Sequence, residues 1–290
     1  MDLVVHPFFD PATSSYSYVL ANPGSGCCAV IDPVLDYFDD EEGAGAVGTR
    51  LADRILELIA ANDYRAEWIL ETHVHADHLS AGRYLKSRLA CAQLAIGMRV
   101  TEVQSHFSAA FGVPEASDGR QFDRLLADGD RLALGHSVGR VLHVPGHTPA
   151  CVAYLFDRFL FVGDTLFMPD YGTARCDFPG GSAEALYQSV QRLYGLPDDV
   201  RMLMCHDYAP GGRDHRFLTT VAAQRAGNRM LRGDTDAGEF AAARRARDRD
   251  LDAPRLLVPA VRANIAGGVL PGWRLEAHLL NHGQRREAAS

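Results

Sequence analysis

The sequence predicts a layered α/β fold followed by a C-terminal helical appendage. Strand and helix patterns alternate between residues 27 and 96, as they do when helices cover a sheet. Strand patterns then dominate residues 131–162, and arginine-rich helical patterns dominate the chain after residue 210. Several strand patterns end in histidine or aspartate, which indicates that polar side chains gather at one edge of the sheets.

The chain begins with two strand patterns. Residues 15–20 alternate in character, residues 22–24 (Asn-Pro-Gly) are a turn signal, and residues 27–31 are continuously apolar. Two strands joined by a short glycine-containing turn predict a hairpin, which we expect at the edge of a sheet. Residues 36–48 are acidic and glycine-rich, so we expect a surface loop there.

Helical and strand patterns alternate in the next segment. Apolar side chains recur every three or four positions in residues 50–62, which predicts a helix with one buried face. Residues 66–71 and 93–96 are short runs typical of buried strands. We expect a second helix between these strands, at residues 79–90.

The middle of the chain is richest in strands. Residues 118–130 show no clear period and end in a polar Asp-Gly-Asp turn, so we expect a loop. Residues 182–194 have helical spacing, with Ser182 as the expected N-cap. The strand patterns lie at residues 131–134, 139–144, 151–156, 158–162 and 200–205, the last being the final clear strand.

The chain changes character near residue 210. Residues 217–232, 237–249 and 256–265 all have helical patterns, and arginine is abundant among them. We therefore predict a main domain over residues 1–210 and a helical extension over residues 211–290 that packs on it.

Composition argues against several classes of protein. The 290 residues include 29 basic and 37 acidic side chains, a formal charge of −8, so a nucleic-acid-binding surface is not expected. No apolar stretch reaches about 18 residues, which argues against a membrane span. The start of the chain lacks a secretory-signal pattern, and the six cysteines form no C-x-x-C pair. We expect a cytoplasmic protein with reduced thiols.

The densest group of chemically active side chains follows the predicted strand at residues 66–71. His73, His75, Asp77 and His78 occupy four of six consecutive positions in a chain with 12 histidines. In an extended or tightly turned segment His73 and His75 point the same way. Imidazole and carboxylate groups at this density predict a metal site.

Three further segments place a ligand-type side chain at the end of a strand pattern. They are Gly146-His147-Thr148, Gly163-Asp164-Thr165 and Cys205-His206-Asp207. The glycines allow the backbone to turn sharply before the side chain that follows. Because strand ends of layered folds meet at one edge, we expect His147, Asp164 and His206 to join the first group.

Taken together, the motifs H-x-H-x-D-H, G-H-T, G-D-T and a late strand-end histidine resemble those of the metallo-β-lactamase fold superfamily. The motifs span residues 73–206, and the early strand patterns fit the same fold. The resemblance implies an αββα sandwich with a metal centre on one edge. The residues that match the family's seven possible ligands are all present: His73, His75, Asp77, His78, His147, Asp164 and His206.

Two branches of that superfamily imply different centres. In relatives that resemble glyoxalase II, the seven residues hold two metal ions, and Asp164 bridges these two ions. The centre then hydrolyses a thioester, and the alternative considered for this chain has zinc as both metals. In relatives that resemble persulfide (sulfur) dioxygenases, one Fe(II) per chain is held by His73, His147 and Asp164. The remaining four, namely His75, Asp77, His78 and His206, would then hydrogen-bond the ligands or bound water.

The segment after Asp164 favours the dioxygenase. Residues 175–178, Arg-Cys-Asp-Phe, are similar to the Gly-Arg-Thr-Asp-Phe stretch of persulfide dioxygenases. The longer stretch from Pro169 resembles the bacterial branch often called β-lactamase-like hydrolases, which is linked to sulfide detoxification. The loop is longer here than in the mitochondrial type, and Cys176 replaces threonine, a difference that bears on substrate geometry more than on the metal.

Three residues of this loop are candidates for catalysis. Arg175 either forks onto a carboxylate of a glutathione-like substrate or forms an ion pair with Asp177 or Asp170. Asp177 would orient a neighbour, either Arg175 or a histidine ring. Tyr171 either donates to substrate or simply packs. Cys176 could be reactive, or a plain small residue.

The resemblance thus implies a non-haem Fe(II) persulfide dioxygenase. It would oxidise glutathione persulfide, or a similar small thiol persulfide, with O₂ and water to sulfite and thiol. The alternative is a dinuclear zinc thioester hydrolase of the glyoxalase II type, and a non-catalytic metal-binding or sulfur-sensing protein is a third reading. Related proteins also suggest a homodimer. The metal bound, its count and the physiological thiol stay open at this point.

Overall fold

The computed structural model describes residues 3–38, 46–111 and 117–269. The strands up to residue 126 are β1 (Val4–Asp10), β2 (Ser15–Asn22), β3 (Cys27–Ile31), β4 (Val34–Phe38), β5 (Ala46–Gly48), β6 (Arg65–Leu70), β7 (Leu79–Ser80), β8 (Gln93–Gly97) and β9 (Arg124–Leu126). The later strands are β10 (Arg131–Leu134), β11 (Ser137–His143), β12 (Val152–Phe156), β13 (Phe159–Phe161), β14 (Arg201–Leu203) and β15 (Leu218–Thr220).

Helices lie between and after these strands. They are α1 (Arg50–Ala61), α2 (Gly82–Lys86), α3 (Val100–Phe111), α4 (Ala183–Tyr194), α5 (Val221–Gly227), α6 (Ala237–Asp248) and α7 (Leu257–Asn264). None of the helices in the described ranges is long and apolar enough to cross a membrane.

Two six-stranded sheets form the centre of the molecule. Their strand orders are β1-β2-β3-β6-β8-β9 and β10-β11-β12-β13-β14-β15, and β4, β5 and β7 form a small third sheet. The first sheet is antiparallel from β1 to β3 and parallel from β3 to β9. The second is antiparallel except where β13 and β14 run parallel.

Three apolar clusters separate four layers. The cluster between the sheets includes Tyr18, Tyr154 and Phe161. A second cluster packs the first sheet against α1, α2, α3 and α7, and a third packs the second sheet against α4, α5 and α6. This is the αββα arrangement that the resemblance implies, and it confirms the predicted fold class.

The predicted hairpin of β2 and β3 is confirmed, but its place at the sheet edge is wrong. The additional strand β1 pairs along the whole of β2 and forms the edge. Pro7 lies inside β1, opposite Tyr18, and proline in a run of residues argues against a strand. An edge strand tolerates proline because one of its sides forms no hydrogen bonds to a neighbouring strand. The proline therefore made this segment look unlike a strand in the sequence.

The expected surface loop at residues 36–48 is wrong at both of its ends. Residues 34–38 and 46–48 pair as β4 and β5, while residues 39–45 lie outside the described residues. Asp36 is buried, and its carboxylate accepts from the N–H of Leu51 and the guanidinium of Arg50, both at 3.1 Å. The acidic residue therefore satisfies the start of α1, where a carboxylate is favourable.

Two further predictions of local structure are wrong. The helix expected at residues 79–90 is only α2, because Ser80 pairs with Val34 as strand β7. The loop expected at residues 118–130 contains β9, which extends the first sheet beside β8. Strands of two or three residues carry almost no period, so pairing with a neighbour decides them.

The C-terminal segment was predicted as purely helical, but it also completes the second sheet. Of the helix predicted at residues 217–232 only α5 is present, because residues 218–220 pair with β14 as strand β15. Thr220 caps α5 by accepting from the N–H of Ala223 at 3.1 Å. Helices α6 and α7 confirm the patterns at residues 237–249 and 256–265. The division at residue 210 stays a proposal, since β15 lies beyond it, and residues 270–290 lie outside the described residues.

Candidate metal centre

The first candidate group consists of His73, His147 and Asp164, which three different strand ends supply. One ligand atom from each of these buried residues lies within 4.8 Å of the other two. The Nε2 atoms of His73 and His147 each lie 3.9 Å from Oδ2 of Asp164. That spacing is too long for hydrogen bonds. It suits a metal ion whose bonds to nitrogen and oxygen are about 2.0–2.2 Å.

Hydrogen bonds on the far side of each ring set its tautomer. Thr72 donates its hydroxyl hydrogen to Asp32 at 2.9 Å, so its oxygen accepts from Nδ1 of His73 at 3.0 Å. Nδ1 of His147 donates to the carbonyl oxygen of Arg175 at 2.8 Å. Both rings therefore keep a lone pair on Nε2, the atom that faces Asp164.

The second candidate group consists of His75, Asp77, His78 and His206, with one ligand atom from each within 4.8 Å of the others. Nε2 of His206 lies 3.3 Å from Oδ2 of Asp77 and 3.4 Å from Oδ1 of Asp164. Asp164 therefore faces the first group with one oxygen and the second group with the other.

Ser15 orients two rings of the second group. Thr13 donates to Asp10 at 2.6 Å, so it accepts the hydroxyl hydrogen of Ser15 at 2.8 Å. The oxygen of Ser15 is then the acceptor for Nδ1 of His78 at 3.2 Å and of His206 at 3.3 Å. Sequence reasoning missed Ser15, because a serine at the start of a strand carries no distinguishing signal.

The donor set fits a divalent transition-metal ion. In the described residues, five ligand-type atoms of the two groups are buried without a hydrogen-bond partner: Nε2 of His73, His78 and His206, Nδ1 of His75, and Oδ1 of Asp164. Buried polar atoms rarely stay unpaired. Burial, followed by the neighbouring histidines, holds the pKa of His73 and His75 well below its ordinary value, so both rings are neutral and able to bind.

Two buried carboxyl groups lie beneath the centre. Asp32 accepts from the main-chain N–H of Thr72 at 2.7 Å and from Nε2 of His75 at 3.2 Å. Burial raises the pKa of Asp32 to about 6 and raises that of Glu71, which accepts from Ser80, well above its ordinary value. Asp32 was not among the residues selected from the sequence. It nevertheless follows strand β3, much as Asp164 follows strand β13.

A cavity of about 400 Å³ lies at the candidate metal centre. Asp77, His147 and Asp164 line it. Further lining residues come from the segment after Asp164 and from the C-terminal part of the chain, among them Phe167, Tyr171, Tyr208, Arg247, Leu251 and Leu256.

The guanidinium of Arg175 is bound to the protein itself. It donates to both oxygens of Asp177 at 2.6 Å and to the carbonyl oxygen of Asp252 at 2.7 Å. Of the alternatives raised by the sequence, the ion pair with Asp177 is the one present, while Asp170 pairs with Arg213. Asp177 thus orients Arg175, whose carbonyl in turn orients His147. A role for Arg175 or Asp177 in catalysis stays a prediction.

Tyr171 and Cys176 have different surroundings. Tyr171 lines the cavity, with its ring 4.6 Å from that of Tyr208 and the guanidinium of Arg247 5.2 Å away over its face. Cys176 is buried, and burial raises the pKa of its thiol, so it carries no thiolate at neutral pH. Contact of Tyr171 with a substrate therefore stays a prediction, and Cys176 is a buried thiol.

Comparison with known proteins places this geometry in a family. Residues 10–206 match the family described as the Metallo-beta-lactamase superfamily. A probable metallo-hydrolase of Burkholderia pseudomallei is 50% identical over 281 residues, which cover 93% of this chain and 94% of that protein.

More distant relatives carry named activities. A hydroxyacylglutathione hydrolase of Methylococcus capsulatus is 32% identical and covers 75% of this chain and 70% of its own length. The human mitochondrial persulfide dioxygenase ETHE1 is 30% identical, over 79% of this chain and 76% of its own length. The crystal structure of ETHE1 from Myxococcus xanthus superposes with a TM-score of 0.73 at 30% identity, covering 92% of this chain and 100% of that one.

Proposed function

The chain belongs to the metallo-β-lactamase superfamily, and from that premise we propose that it is a mononuclear non-haem iron persulfide dioxygenase. The observation that carries the proposal is the group of His73, His147 and Asp164. Two histidines and one carboxylate that leave further positions open are the ligand set of non-haem Fe(II) oxygenases. Similarity to persulfide dioxygenases supports the same activity.

The proposed reaction converts a thiol persulfide, O₂ and water to the thiol, sulfite and two protons. The bound iron would supply the redox chemistry between persulfide and O₂. The chain would contribute the placement of both reactants in one enclosed space, which replaces a collision by a fixed geometry. The hydroxyl of Thr72 and the carbonyl of Arg175 accept from Nδ1 of His73 and of His147. Each ring therefore keeps the tautomer whose Nε2 carries a lone pair.

The cavity wall suggests an acidic thiol as substrate. Arg247 lines the cavity, and its guanidinium contacts the Sδ atom of Met230 at 3.4 Å and the face of the Tyr171 ring. Among the described residues no carboxylate forms an ion pair with it. A guanidinium without a counter-ion beside a metal centre is suited to a substrate carboxylate, such as those of glutathione. In this role Arg247 takes the place that the sequence suggested for Arg175.

Metal content and oxygen uptake test the proposal together. Protein loaded with Fe(II) should bind about one iron per chain and consume O₂ when glutathione persulfide is added. His73→Ala should abolish both iron binding and O₂ uptake, because it removes one of three ligands. The exposed His136 offers a matched control, and His136→Ala should retain both.

One alternative has specific support. Asp164 belongs to the first group and also lies 3.4 Å from His206 of the second group through Oδ1, and this arrangement could hold two zinc ions with a bridging carboxylate. The hydroxyacylglutathione hydrolase relative is consistent with such a centre. Two zinc ions per chain, with thioester hydrolysis and no O₂ uptake, would replace the dioxygenase proposal by this one.

A further inference from the structure

We propose that the buried ion pair of Arg244 and Asp248 on helix α6 positions His147 in the metal centre. The pair is part of the C-terminal segment and lies far from the ligand motifs in sequence. The inference rests on the proposed metal site at His147, and it assigns a function in that site to residues outside the motifs.

The pair binds the main chain on both sides of Arg175. Nε and Nη2 of Arg244 donate to Oδ1 of Asp248 at 2.9 and 2.5 Å, while Nη1 donates to the carbonyl of Thr173 at 3.0 Å. Oδ2 of Asp248 accepts from the N–H of Cys176 at 2.9 Å. Both side chains are at least 95% buried, so water does not compete for these bonds.

Arg175 is thereby held at the centre of a short, fixed segment. Its carbonyl oxygen is the acceptor for Nδ1 of His147, and that bond sets both the tautomer and the orientation of the ring. If Thr173 and Cys176 lost their anchors on α6, the carbonyl of Arg175 could move. His147 would then lose the fixed acceptor that keeps its Nε2 lone pair directed at Asp164.

Stability alone is a weak reason for such a pair. A buried ion pair often contributes no more than apolar side chains of similar volume would, because both charges lose their hydration. Its hydrogen bonds to two main-chain groups, by contrast, specify one geometry for the segment. Arg244 also lines the cavity, so the pair borders the same cavity as the ligand it orients.

Metal affinity of the full-length protein tests the inference. The metal-free protein is titrated with Co(II) against a chelator of known affinity, and the visible spectrum of the bound Co(II) is recorded. Arg244→Met should weaken Co(II) binding about 10- to 100-fold, as loss of a group that orients a ligand does, and should alter the spectrum. Arg245, which pairs with Glu184 at the surface of the same helix, is the matched control. Arg245→Met should leave both affinity and spectrum unchanged.

A milder variant covers the case in which Arg244→Met does not fold. Arg244→Lys keeps a positive charge beside Asp248 but loses the fork that reaches Thr173, so it should still weaken Co(II) binding. Unchanged affinity in the folded variants, with only a lower melting temperature, would reduce the pair to a structural role. If His147→Ala bound Co(II) as tightly as the wild-type protein does, that result would instead overturn the proposed metal site itself.

Discussion

Hydrogen bonds to single atoms decide which nitrogen each histidine offers to a metal. The sequence supplies the histidines of the H-x-H-x-D-H motif, and their type was enough to predict a metal site. It does not show that Thr72 accepts from Nδ1 of His73, or that a carbonyl 28 residues away accepts from His147. Those partners leave Nε2 free on both rings, and they depend on contacts between distant segments.

Arg213 shows how one side chain joins the two loops beside the centre. It donates to both oxygens of Asp170 at 2.5 and 2.8 Å and to both oxygens of Asp207 at 2.6 and 2.7 Å. Arg213 lowers the pKa of Asp170 below its ordinary value of 3.8. Burial alone would raise the pKa of Asp207, but Arg213 and two main-chain N–H groups hold it below 3.8 as well.

We therefore expect Arg213→Met to lower the free energy of unfolding by about 1–3 kcal/mol at neutral pH, as loss of charged hydrogen bonds does. A carboxyl group with a lowered folded pKa contributes stability that is present above its unfolded pKa and is lost as the pH falls through its folded pKa. The difference in melting temperature between wild type and variant should hold from pH 8 to about 5 and shrink below about 4. A control is Arg216→Met, because Arg216 contacts Asp207 through its main-chain N–H. A difference independent of pH would contradict this account.

Packing between a strand end and a helix positions the ligand His147. The G-H-T motif follows β11, and its glycine lies against helix α4. Gly146 has a φ of +149°, and a Cβ there would collide with the main chain of Leu186. Helix α4 and the turn before His147 can therefore pack closely only with glycine at this position.

Gly146→Ala should destabilise the protein by about 2–4 kcal/mol, since strain and overpacking add. It should also weaken metal binding, because the next residue is His147. The matched control is Gly129→Ala: Gly129 also has a positive φ, but a Cβ there meets no atom within 4 Å. Urea unfolding and Co(II) titration of both variants measure the two effects. Equal losses of stability in the two variants would show that contact with α4 is unimportant.

Helices with a clear apolar period were predictable, whereas short strands, the edge strand and helix α3 were not. The helix beginning after Ser182 was confirmed with its cap, since the hydroxyl accepts from the N–H of Ala185 at 3.1 Å. Strand β1 was missed because of Pro7, and β7 was taken for the start of a helix. A strand of two residues exists only because Val34 and Ser80 pair, and no local pattern reports such pairing.

At the scale of the whole molecule, segments far apart in the sequence line one cavity. Thr13, in the first hairpin, and Arg247, in helix α6, line the same space as Asp164. The sequence pattern indicated that arginines were abundant after residue 210, but it assigned no role to any one of them. Both Arg244 and Arg247 line the cavity, but only Arg244 forms a buried ion pair, and this difference follows from where α6 packs.

If Arg247 binds a substrate carboxylate, Arg247→Ala should raise KM for glutathione persulfide about 10- to 100-fold with little change in kcat, the effect of losing a charged hydrogen bond. A persulfide without carboxylates should show no such change. Arg249→Ala alters an exposed arginine at the end of the same helix and should behave as wild type. Steady-state O₂ uptake measures both constants. An unchanged KM would remove Arg247 from substrate recognition.

The sequence motifs, through their resemblance to the superfamily, predicted the αββα fold class and named seven candidate ligands, and helical periodicity predicted α1 and α4, because motifs and periodicity are local properties. Packing settled the rest. It paired Arg175 with Asp177, placed Asp164 between the two groups of candidate ligands, brought Ser15 to His206 and joined Arg244 to the segment that contains Arg175. These features are contacts between segments distant in sequence, and such contacts exist only once the two sheets and their helices have come together.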